Sequence, residues 1–142
     1  MKILVMGLSG AGKTTLSKKL NIALTNSIHI NADNVRKQFN DWDFSIDGRF
    51  RQCNRLKFLS EHATNQFVIC DFIAPTDLIR TLFDADFTIF VDTCQFCKYH
   101  NTNVIFEPPT TYDVRVSNYD FDFWVNHIKT IILSSYVNTQ TF

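Results

Sequence analysis

The sequence predicts an α/β fold in which a parallel sheet of about five strands is covered by helices on both faces. Short, continuously apolar runs alternate along the chain with segments whose apolar residues recur at helical spacing. Strands that are apolar throughout are typical of a parallel sheet buried on both faces. No repeat, low-complexity tract or linker interrupts the alternation, and 142 residues with 45% hydrophobic content suffice for a sizeable core. We therefore expect a single domain over residues 1–142.

The first half of the chain is predicted to contain two strands and three helices. Residues 3–6 form an apolar run that predicts a buried strand, and a glycine-rich turn follows it. A second strand is predicted at residues 27–30, followed by a short helix at 35–39. Ser45 is a typical N-cap for the next helix. The apolar positions that predict the two longer helices are Leu16, Leu20, Ala23 and Leu24 in the first, and Phe50, Cys53, Leu56 and Leu59 in the second.

The second half is predicted to contain three further strands and two helices. Residues 67–70 and 87–91 are short apolar runs that predict buried strands, with a helix at 76–83 between them. Residues 94–109 have no regular pattern, so we expect irregular structure there, and a last strand is predicted at 112–116. The final helix is amphipathic, with apolar residues at Phe121, Trp124, Val125, Ile128, Ile131 and Ile132.

Charge and hydropathy argue against several classes of function. Lys plus Arg and Asp plus Glu both number 14, so we expect neither nucleic acid nor an anionic membrane as a partner. No apolar run approaches the ~20 residues of a membrane span, and the N-terminal apolar run is too short for a signal peptide. We therefore expect a cytoplasmic protein.

The four cysteines give little sign of metal or redox chemistry. Cys53 and Cys70 are expected to be buried thiols, because they lie on a helix face and in an apolar run. Cys94 and Cys97, with His100 beyond them, have the outline of half a zinc site. No second Cys or His pair completes that site at the usual spacing, so we do not expect a metal there.

The glycine-rich turn carries the strongest functional signal. Residues 7–14 (GLSGAGKT) match the phosphate-binding pattern G-x-x-x-x-G-K-[ST] of a P-loop. The strand before it and the helix after it favour this interpretation over a chance match, because turned backbone N–H groups and a helix N-terminus attract phosphate. Lys13 is predicted to reach the β- and γ-phosphates and Thr14 to hold Mg²⁺. The fold is thus P-loop kinase-like, with ATP and Mg²⁺ as expected cofactors. The predicted nucleotide contacts are Gly7, Ser9, Gly10, Ala11, Gly12, Lys13, Thr14 and Thr15.

Two carboxylates follow predicted strands, at the edge of a parallel sheet where ligands bind. A kinase needs a carboxylate to accept the hydroxyl proton or to hold magnesium. Asp33, just past the second strand, is the candidate for both tasks, with a helix N-cap as its structural alternative. Asp71 ends the third strand and is either a magnesium ligand or a turn residue, and the sequence leaves both open.

Arginines and an aromatic residue follow the second strand. Arg36 and Arg49 are predicted at helix starts beside the site, where they would contact an anion. Arg51 and Arg55 lie four residues apart on one helix face and fit a solvated surface. Phe44 lies in a polar loop, where it either stacks on a base or anchors the loop to the core.

These motifs resemble, in order from the first strand to about Val116, those of the adenylylsulfate kinase (APS kinase) family. The P-loop is similar to the family's own version almost letter for letter. The other similar segments are 31–36 (NADNVR) to D-G-D-N-V-R, 44–49 (FSIDGR) to F-S-x-x-D-R, 72–75 (FIAP) to F-I-S-P, 91–93 (VDT) to V-D-T, and 107–109 (EPP) to E-P-P.

The resemblance implies transfer of the γ-phosphate of MgATP to the 3′-hydroxyl of APS, which gives PAPS and ADP in sulfate activation. Lys13 and Thr14 would handle ATP and magnesium, and Asp33 would be the base or magnesium partner near the acceptor hydroxyl. The substrate contacts that it implies are Arg36 and Arg49 on the phosphosulfate, Phe44 on the adenine, Gln52 in place of the family's Asn, and backbone contacts from Ile73 and Ala74.

The sequence departs from the family pattern around magnesium and in the lid. Asn31 replaces the first Asp of D-G-D. Asp71 stands where the family has a small or hydroxyl residue, so it is a candidate to compensate for Asn31. The family's long lid, with R-D-P-K-G-L-Y and a further F-T-G, is replaced by residues 94–106. The residues of this segment that would supply the lid's cation and second stacking aromatic are Lys98 and either Phe96 or Phe106.

The short lid and Asn31 keep two other functions open. One is a kinase with the same frame that acts on a different small-molecule or nucleotide hydroxyl. The other is a module that binds a nucleotide without turnover. The sequence does not give the oligomeric state, so a homodimer, and a partner subunit that does the lid's work, also stay open.

Overall fold

The computed structural model describes residues 1–140, with side chains described as far as Asn138. Strands and helices alternate along this part of the chain. The strands are β1 (Lys2–Met6), β2 (Ser27–Asn31), β3 (Phe67–Asp71), β4 (Phe87–Val91) and β5 (Val114–Val116). The helices are α1 (Lys13–Ala23), α2 (Ala32–Phe39), α3 (Ile46–His62), α4 (Asp77–Phe83), α5 (His100–Ile105) and α6 (Phe121–Gln140). The last two residues of the predicted domain lie outside the described residues.

The five strands form one parallel sheet in the order β2-β3-β1-β4-β5. β1 is the central strand, paired with β3 on one side and β4 on the other. The chain first builds the β2-β3 side of the sheet and then the β4-β5 side, so the carboxyl end of β1 lies where the strand order reverses. Ligands of such sheets bind at this point. The observed topology confirms the predicted fold class and places the P-loop at the expected binding edge.

Helices cover both faces of the sheet because strand side chains alternate between two cores. Ile3 and Val5 of β1 belong to one core, which is completed by α1 and α6. Leu4 and Met6 belong to the opposite core, which is completed by α2, α3 and α4. The central strand is therefore buried on both faces, which explains its continuously apolar sequence.

The second half of the chain differs from the predicted elements in two places. Residues 94–109, predicted to be irregular, contain α5 (His100–Ile105). This helix has six residues, of which Thr102 alone is buried, so it is too short and too polar to produce a periodic pattern. β5 begins at Val114 rather than at residue 112. The carboxylate of Asp113 accepts a hydrogen bond from the backbone N–H of Thr88 at 2.7 Å, which fills a position that a longer strand would pair.

Two strand ends and one helix cap lie at the carboxyl edge of the sheet, where ligands are expected to bind. Both β2 and β3 run one residue further than predicted, so Asn31 and Asp71 are paired in the strand register. Ser45 is the N-cap of α3, as predicted, and accepts a hydrogen bond from the backbone N–H of Gly48 at 3.1 Å. None of the helices in the described residues combines the length and the apolar character needed to cross a membrane.

Candidate active site

A cavity of about 830 Å³ opens beside the P-loop at the carboxyl edge of the sheet. Its walls come from the P-loop, the start of α2, the loop before α3, the segment after β3 and residues 98–102. This volume lies in the range of small-molecule sites. Gly7 and Ala11 are buried behind the lining. The other predicted site residues all line the cavity: Ser9, Gly10, Gly12, Lys13, Thr14, Thr15, Asp33, Arg36, Phe44, Arg49, Gln52, Asp71, Ile73 and Ala74.

Two glycines give the P-loop its shape. Gly7 has φ +146°, and a Cβ added there would lie 2.4 Å from the carbonyl oxygen of Val91. Gly12 has φ +99°, and its added Cβ would lie 2.5 Å from the ring of Phe121 on α6. Both positions combine a left-handed backbone with a close neighbour, so glycine is required at each. The loop is thus held between β4 and α6 with its backbone turned toward the cavity.

Lys13 is a buried cation at the start of α1. Its Nζ donates a hydrogen bond to the carbonyl oxygen of Leu8 at 2.8 Å, within the P-loop itself. Burial lowers the pKa of Lys13, and the negative charges of Asp71 and Asp33 oppose this shift. An anion in the loop would compensate the desolvated ammonium group, as a triphosphate does in P-loop proteins.

Thr14, Asn31 and Asp71 form a hydrogen-bonded cluster where β2, β3 and α1 meet. The Thr14 hydroxyl donates to Oδ1 of Asp71 at 3.3 Å. Nδ2 of Asn31 donates to Oδ1 and Oδ2 of Asp71 at 3.1 and 3.2 Å and to Oγ1 of Thr14 at 3.1 Å. The carboxylate of Asp71 is buried and faces α1, so Asp71 is not a turn residue exposed to solvent.

Two members of this cluster, Thr14 and Asp71, carry oxygen atoms of the type that binds magnesium. Mg²⁺ prefers oxygen ligands and takes one or two carboxylates together with substrate phosphates and water. Within the described residues, no group of three or more His, Cys, Asp or Glu side chains could hold a metal ion. The hydroxyl of Thr14 and the carboxylate of Asp71, next to the P-loop, fit a metal that is bound jointly with a nucleotide.

Asp33 lies in the first turn of α2, exposed and facing the cavity. The alternative that it caps this helix is wrong, because Oδ1 of Asn31 accepts the capping hydrogen bond from the backbone N–H of Asn34 at 3.0 Å. The charge of Asp33 opposes the lowering of the pKa of both Lys13 and Arg36, so it lies near both cations. Asp33 is therefore free of a structural capping role and lies between the P-loop and the arginine end of the cavity.

Arg36 and Arg49 are buried guanidinium groups at the other end of the cavity, 5% and 7% exposed. Arg36 donates to the backbone carbonyl oxygens of Asp41 and Asp43, both at 3.1 Å. Arg49 donates to the carbonyl oxygen of Phe44 at 2.9 Å and to Oγ1 of Thr102 at 3.0 Å. Neither forms an ion pair within the described residues. Burial lowers the pKa of both. For Arg36 the charge of Asp41 opposes this shift and the charge of Arg49 adds to it.

The neighbouring Arg51 and Arg55 have a different environment. Arg51 binds Asp41 at 2.6 Å and Asp43 at 3.1 Å, and Arg55 binds Asp41 at 2.7 Å. The hydrogen bonds from Arg51 hold the pKa of Asp41 well below its usual range. These pairs leave Arg36 and Arg49 as the buried, unpaired cations of this region.

Phe44 is not a core anchor. It is 47% exposed and lines the cavity. The guanidinium carbon of Arg36 lies 4.2 Å from its ring centroid and that of Arg49 lies 5.5 Å from it. Stacking on two cations holds the ring at the cavity wall, where a flat ligand can reach it.

Gln52, Ile73 and Ala74 complete the predicted lining. Gln52 is 4% exposed, and its Nε2 donates to the carbonyl oxygen of Ala32 at 2.8 Å. Its Oε1 has no hydrogen-bond partner within the described residues. Ala74 adopts φ +48°, and Nε of Arg80 donates to its carbonyl oxygen at 2.9 Å. Ala74 is therefore held by Arg80 in a left-handed backbone conformation, in a largely buried segment that forms part of the cavity wall.

Residues 98–102 close the cavity on the side where the sequence predicts a lid segment. The prediction that Phe96 or Phe106 supplies a second aromatic wall is wrong. Phe96 is 77% exposed and away from the cavity, and Phe106 packs on Phe90 with centroids 6.4 Å apart. The half-exposed rings that line the cavity with Phe44 are Trp42 and Tyr99, and Lys98 and His100 also line it. Trp42 was detectable as a second aromatic in the polar loop, whereas no pattern pointed to Tyr99.

The sequence matches the model of one protein family. The model of the adenylylsulphate kinase family matches residues 1–109, about three quarters of the 142-residue chain. The chain belongs to the adenylylsulphate kinase family. The match ends after the Glu-Pro-Pro segment and covers every predicted site residue. Membership makes the chain an ATP-dependent phosphotransferase with a nucleotide-binding P-loop.

Solved structures of two APS kinases and of a shikimate kinase have the same fold. An APS kinase from Mycobacterium tuberculosis, solved in complex with AMPPNP and APS, is 17% identical and superposes with a TM-score of 0.78, over 92% of this chain and 96% of that chain. A hexameric APS kinase from Thiobacillus denitrificans is 24% identical with a TM-score of 0.74, over 94% of this chain and 29% of that chain. A shikimate kinase from Aquifex aeolicus is 20% identical with a TM-score of 0.65, over 99% of each chain. No curated protein matches the sequence.

Proposed function

We propose that the protein is an adenylylsulfate kinase, which transfers the γ-phosphate of MgATP to the 3′-hydroxyl of adenosine 5′-phosphosulfate and gives PAPS and ADP. The observation that carries this proposal is the pair Arg36 and Arg49, two buried guanidinium groups without carboxylate partners on the cavity wall. Buried charges are normally paired. An acceptor with a phosphosulfate group would supply the missing negative charge.

The nucleotide side of the site is built from the P-loop. Backbone N–H groups of residues 9–15 and Lys13 would bind the phosphates of ATP. Thr14, Asp71 and Asp33 would hold Mg²⁺, which when bound neutralises charge between the β- and γ-phosphates. Lys13 is already desolvated, so its interaction with phosphate is stronger than it would be in water.

The acceptor side extends from Asp33 to Arg49. Asp33 would accept the proton of the attacking hydroxyl, because it is exposed to the cavity and near the cation that binds the transferred phosphate. Arg36 and Arg49 would bind the phosphosulfate, and Phe44 would stack on the adenine. The unpartnered oxygen of Gln52 would accept a hydrogen bond from the nucleoside, and the backbone of Ile73 and Ala74 would complete the contact.

A second candidate is a kinase with the same fold and P-loop that acts on another hydroxyl compound. The short segment that replaces the lid favours this candidate, since Lys98 is the one cation among residues 94–106. A segment with fewer positive charges would suit an acceptor with less negative charge than APS.

A coupled assay of ADP release tests both candidates. We expect release that requires both MgATP and APS and that is lost in Lys13→Ala, the control for background hydrolysis. Release with a different acceptor, and none with APS, would support the second candidate. Tight ATP binding without release for any acceptor would mean that the protein is a nucleotide-binding module.

A further inference from the structure

His29 contacts the site although none of the roles above includes it. It lies on β2, the edge strand, two residues before Asn31, so the two side chains point to the same face of the sheet. Asn31 is paired in register with Asp71 on β3. Nε2 of His29 is hydrogen bonded to Oδ2 of Asp71. We place the ring hydrogen on Nε2, because a carboxylate oxygen accepts hydrogen bonds.

The two oxygens of Asp71 are thereby assigned to different neighbours. Oδ2 accepts from His29, on the side of the edge strand. Oδ1 accepts from the hydroxyl of Thr14, on the side of the P-loop. The amide of Asn31 reaches both oxygens and also Thr14, at 3.1–3.2 Å, so it does not select one oxygen over the other. His29 on Oδ2 and Thr14 on Oδ1 are therefore the two contacts that distinguish the oxygens, and His29 is the one that holds the carboxylate from the side opposite the P-loop.

We propose that His29 is a positioning residue, which holds Asp71 with Oδ1 directed at Thr14 and the magnesium side of bound MgATP. This inference rests on the proposed function, since it assumes that Thr14 and Asp71 hold the metal. Metal ligands depend on such outer hydrogen bonds, because the bonds fix the orientation of the ligand before the metal arrives. His29 would not touch ATP itself, so it would affect the bound metal and leave the phosphate contacts of the P-loop unchanged.

Three variants of His29 separate this role from general packing. His29→Leu removes the donor. His29→Gln places an amide N–H at about the reach of Nε2, whereas the shorter His29→Asn places it too far back. The measurement is the dissociation constant for ATP, with and without Mg²⁺ and without any acceptor. We expect His29→Leu and His29→Asn to weaken MgATP binding by about tenfold, the usual lower bound for loss of an outer-shell partner. Binding of metal-free ATP should change less than about twofold, and His29→Gln should recover most of the loss.

A double-mutant cycle tests whether His29 acts through Asp71. If it does, His29→Leu combined with Asp71→Asn should bind MgATP no more weakly than Asp71→Asn alone. Additive losses would overturn the proposal, and so would equal weakening of metal-free ATP. His127→Leu, at an exposed histidine on α6, is the matched control and should bind as wild type.

The outcome also distinguishes this inference from the proposed function. Wild-type protein that binds ATP with no dependence on magnesium would contradict the metal role of Thr14 and Asp71. Magnesium-dependent binding in wild type, unchanged in all three His29 variants, would overturn the positioning role alone. If His29→Leu does not fold, the comparison of His29→Gln with His29→Asn decides, because both side chains are polar amides.

Discussion

Arg36 and Arg49 differ from Arg51 and Arg55 in their partners, not in their residue type. The first two are buried and donate mainly to backbone carbonyl oxygens, whereas the second two bind the carboxylates of Asp41 and Asp43. A buried guanidinium that lacks an ion pair retains an electrostatic cost that an incoming anion relieves. The unpaired arginines are therefore the residues whose conservative replacement should affect substrate more than stability.

Arg49→Lys tests this expectation. Lysine keeps the charge but cannot make the paired hydrogen bonds with which guanidinium binds phosphate and sulfate oxygens. We expect a loss of about 1.5–3 kcal/mol in kcat/KM for APS, roughly 10- to 150-fold, with ATP binding nearly unchanged. Steady-state kinetics with APS varied at saturating MgATP measures it. Arg51→Lys is the matched control, because Arg51 is already ion-paired. Wild-type kinetics in Arg49→Lys would place the acceptor site elsewhere.

Asp33→Asn tests the catalytic carboxylate. The substitution keeps the size of the side chain and removes its charge and basicity. If Asp33 accepts the hydroxyl proton, kcat should fall by about 10²-fold or more, while ATP affinity without an acceptor changes little. Asp122→Asn provides the control, because Asp122 is also an exposed carboxylate in the first turn of a helix. A rate within a few-fold of wild type would remove Asp33 from the chemistry.

Sequence patterns were sufficient for the types of these residues but not for their partners. The P-loop and the two carboxylates could be placed because strand ends and a glycine turn fix positions along the chain. The pairing of Arg51 and Arg55 with Asp41 depends on the path of the loop at 40–45, which no periodicity describes. The contact between His29 and Asp71 likewise joins residues that are 42 positions apart in the sequence.

At the scale of elements, strand register brings one carboxylate and one amide to the P-loop side of the site. Asn31 ends β2 and Asp71 ends β3, and the two are register partners. A second carboxylate at residue 31 would face the first at the distance of the present hydrogen bonds, 3.1–3.2 Å. The APS kinase pattern has Asp in place of Asn31, so this chain has its carboxylate on the neighbouring strand.

An exchange of the two residues tests this relation. Asn31→Asp alone should lower Tm in magnesium-free buffer, because it removes the amide donor and puts like charges in contact. Asn31→Asp combined with Asp71→Asn returns one carboxylate and one amide to the pair. We expect the double variant to recover most of the lost Tm, as measured by thermal unfolding. Equal or greater destabilisation in the double variant would mean that the register pair is not electrostatically coupled.

The element that sequence analysis missed is α5. The strands are visible as continuous apolar runs, and the long helices as apolar residues that recur at helical spacing. α5 is anchored instead by one buried hydroxyl, that of Thr102, which accepts from Arg49. A single polar anchor leaves no apolar pattern. For that reason the wall formed by residues 98–102, with Tyr99 in it, could be located only in three dimensions.

At the scale of the whole molecule, one of the two cores on opposite faces of the sheet buries thiols as well as hydrocarbon. Burial raises the pKa of Cys53 to about 11 and that of Cys70 to about 12. Both thiols belong to the core that packs against α2, α3 and α4. Cys94 and Cys97 are only partly buried and lie in the segment between β4 and α5.

These shifts predict how stability depends on alkaline pH. A thiol whose pKa is higher in the folded state than its ordinary value of 9.0 ionises first in the unfolded chain. Its contribution is complete below pH 9, and the free energy of unfolding should fall as the pH rises from 9 to about 11 or 12. Urea unfolding from pH 8 to 11 measures this slope. Cys53→Ala combined with Cys70→Ala should reduce it, and an unchanged slope would contradict the assignment.

The contact between Gly12 and Phe121 joins the phosphate loop to a helix outside the matched family segment. Phe121 is the first residue of α6, whereas the family match ends at residue 109. Because the ring fills the space where any side chain at residue 12 would begin, the two positions limit each other in size. Anyone who redesigns this kinase, or grafts its nucleotide loop onto another scaffold, therefore has to treat residues 12 and 121 as one unit. The structural unit that has to be transferred is therefore larger than the P-loop sequence motif.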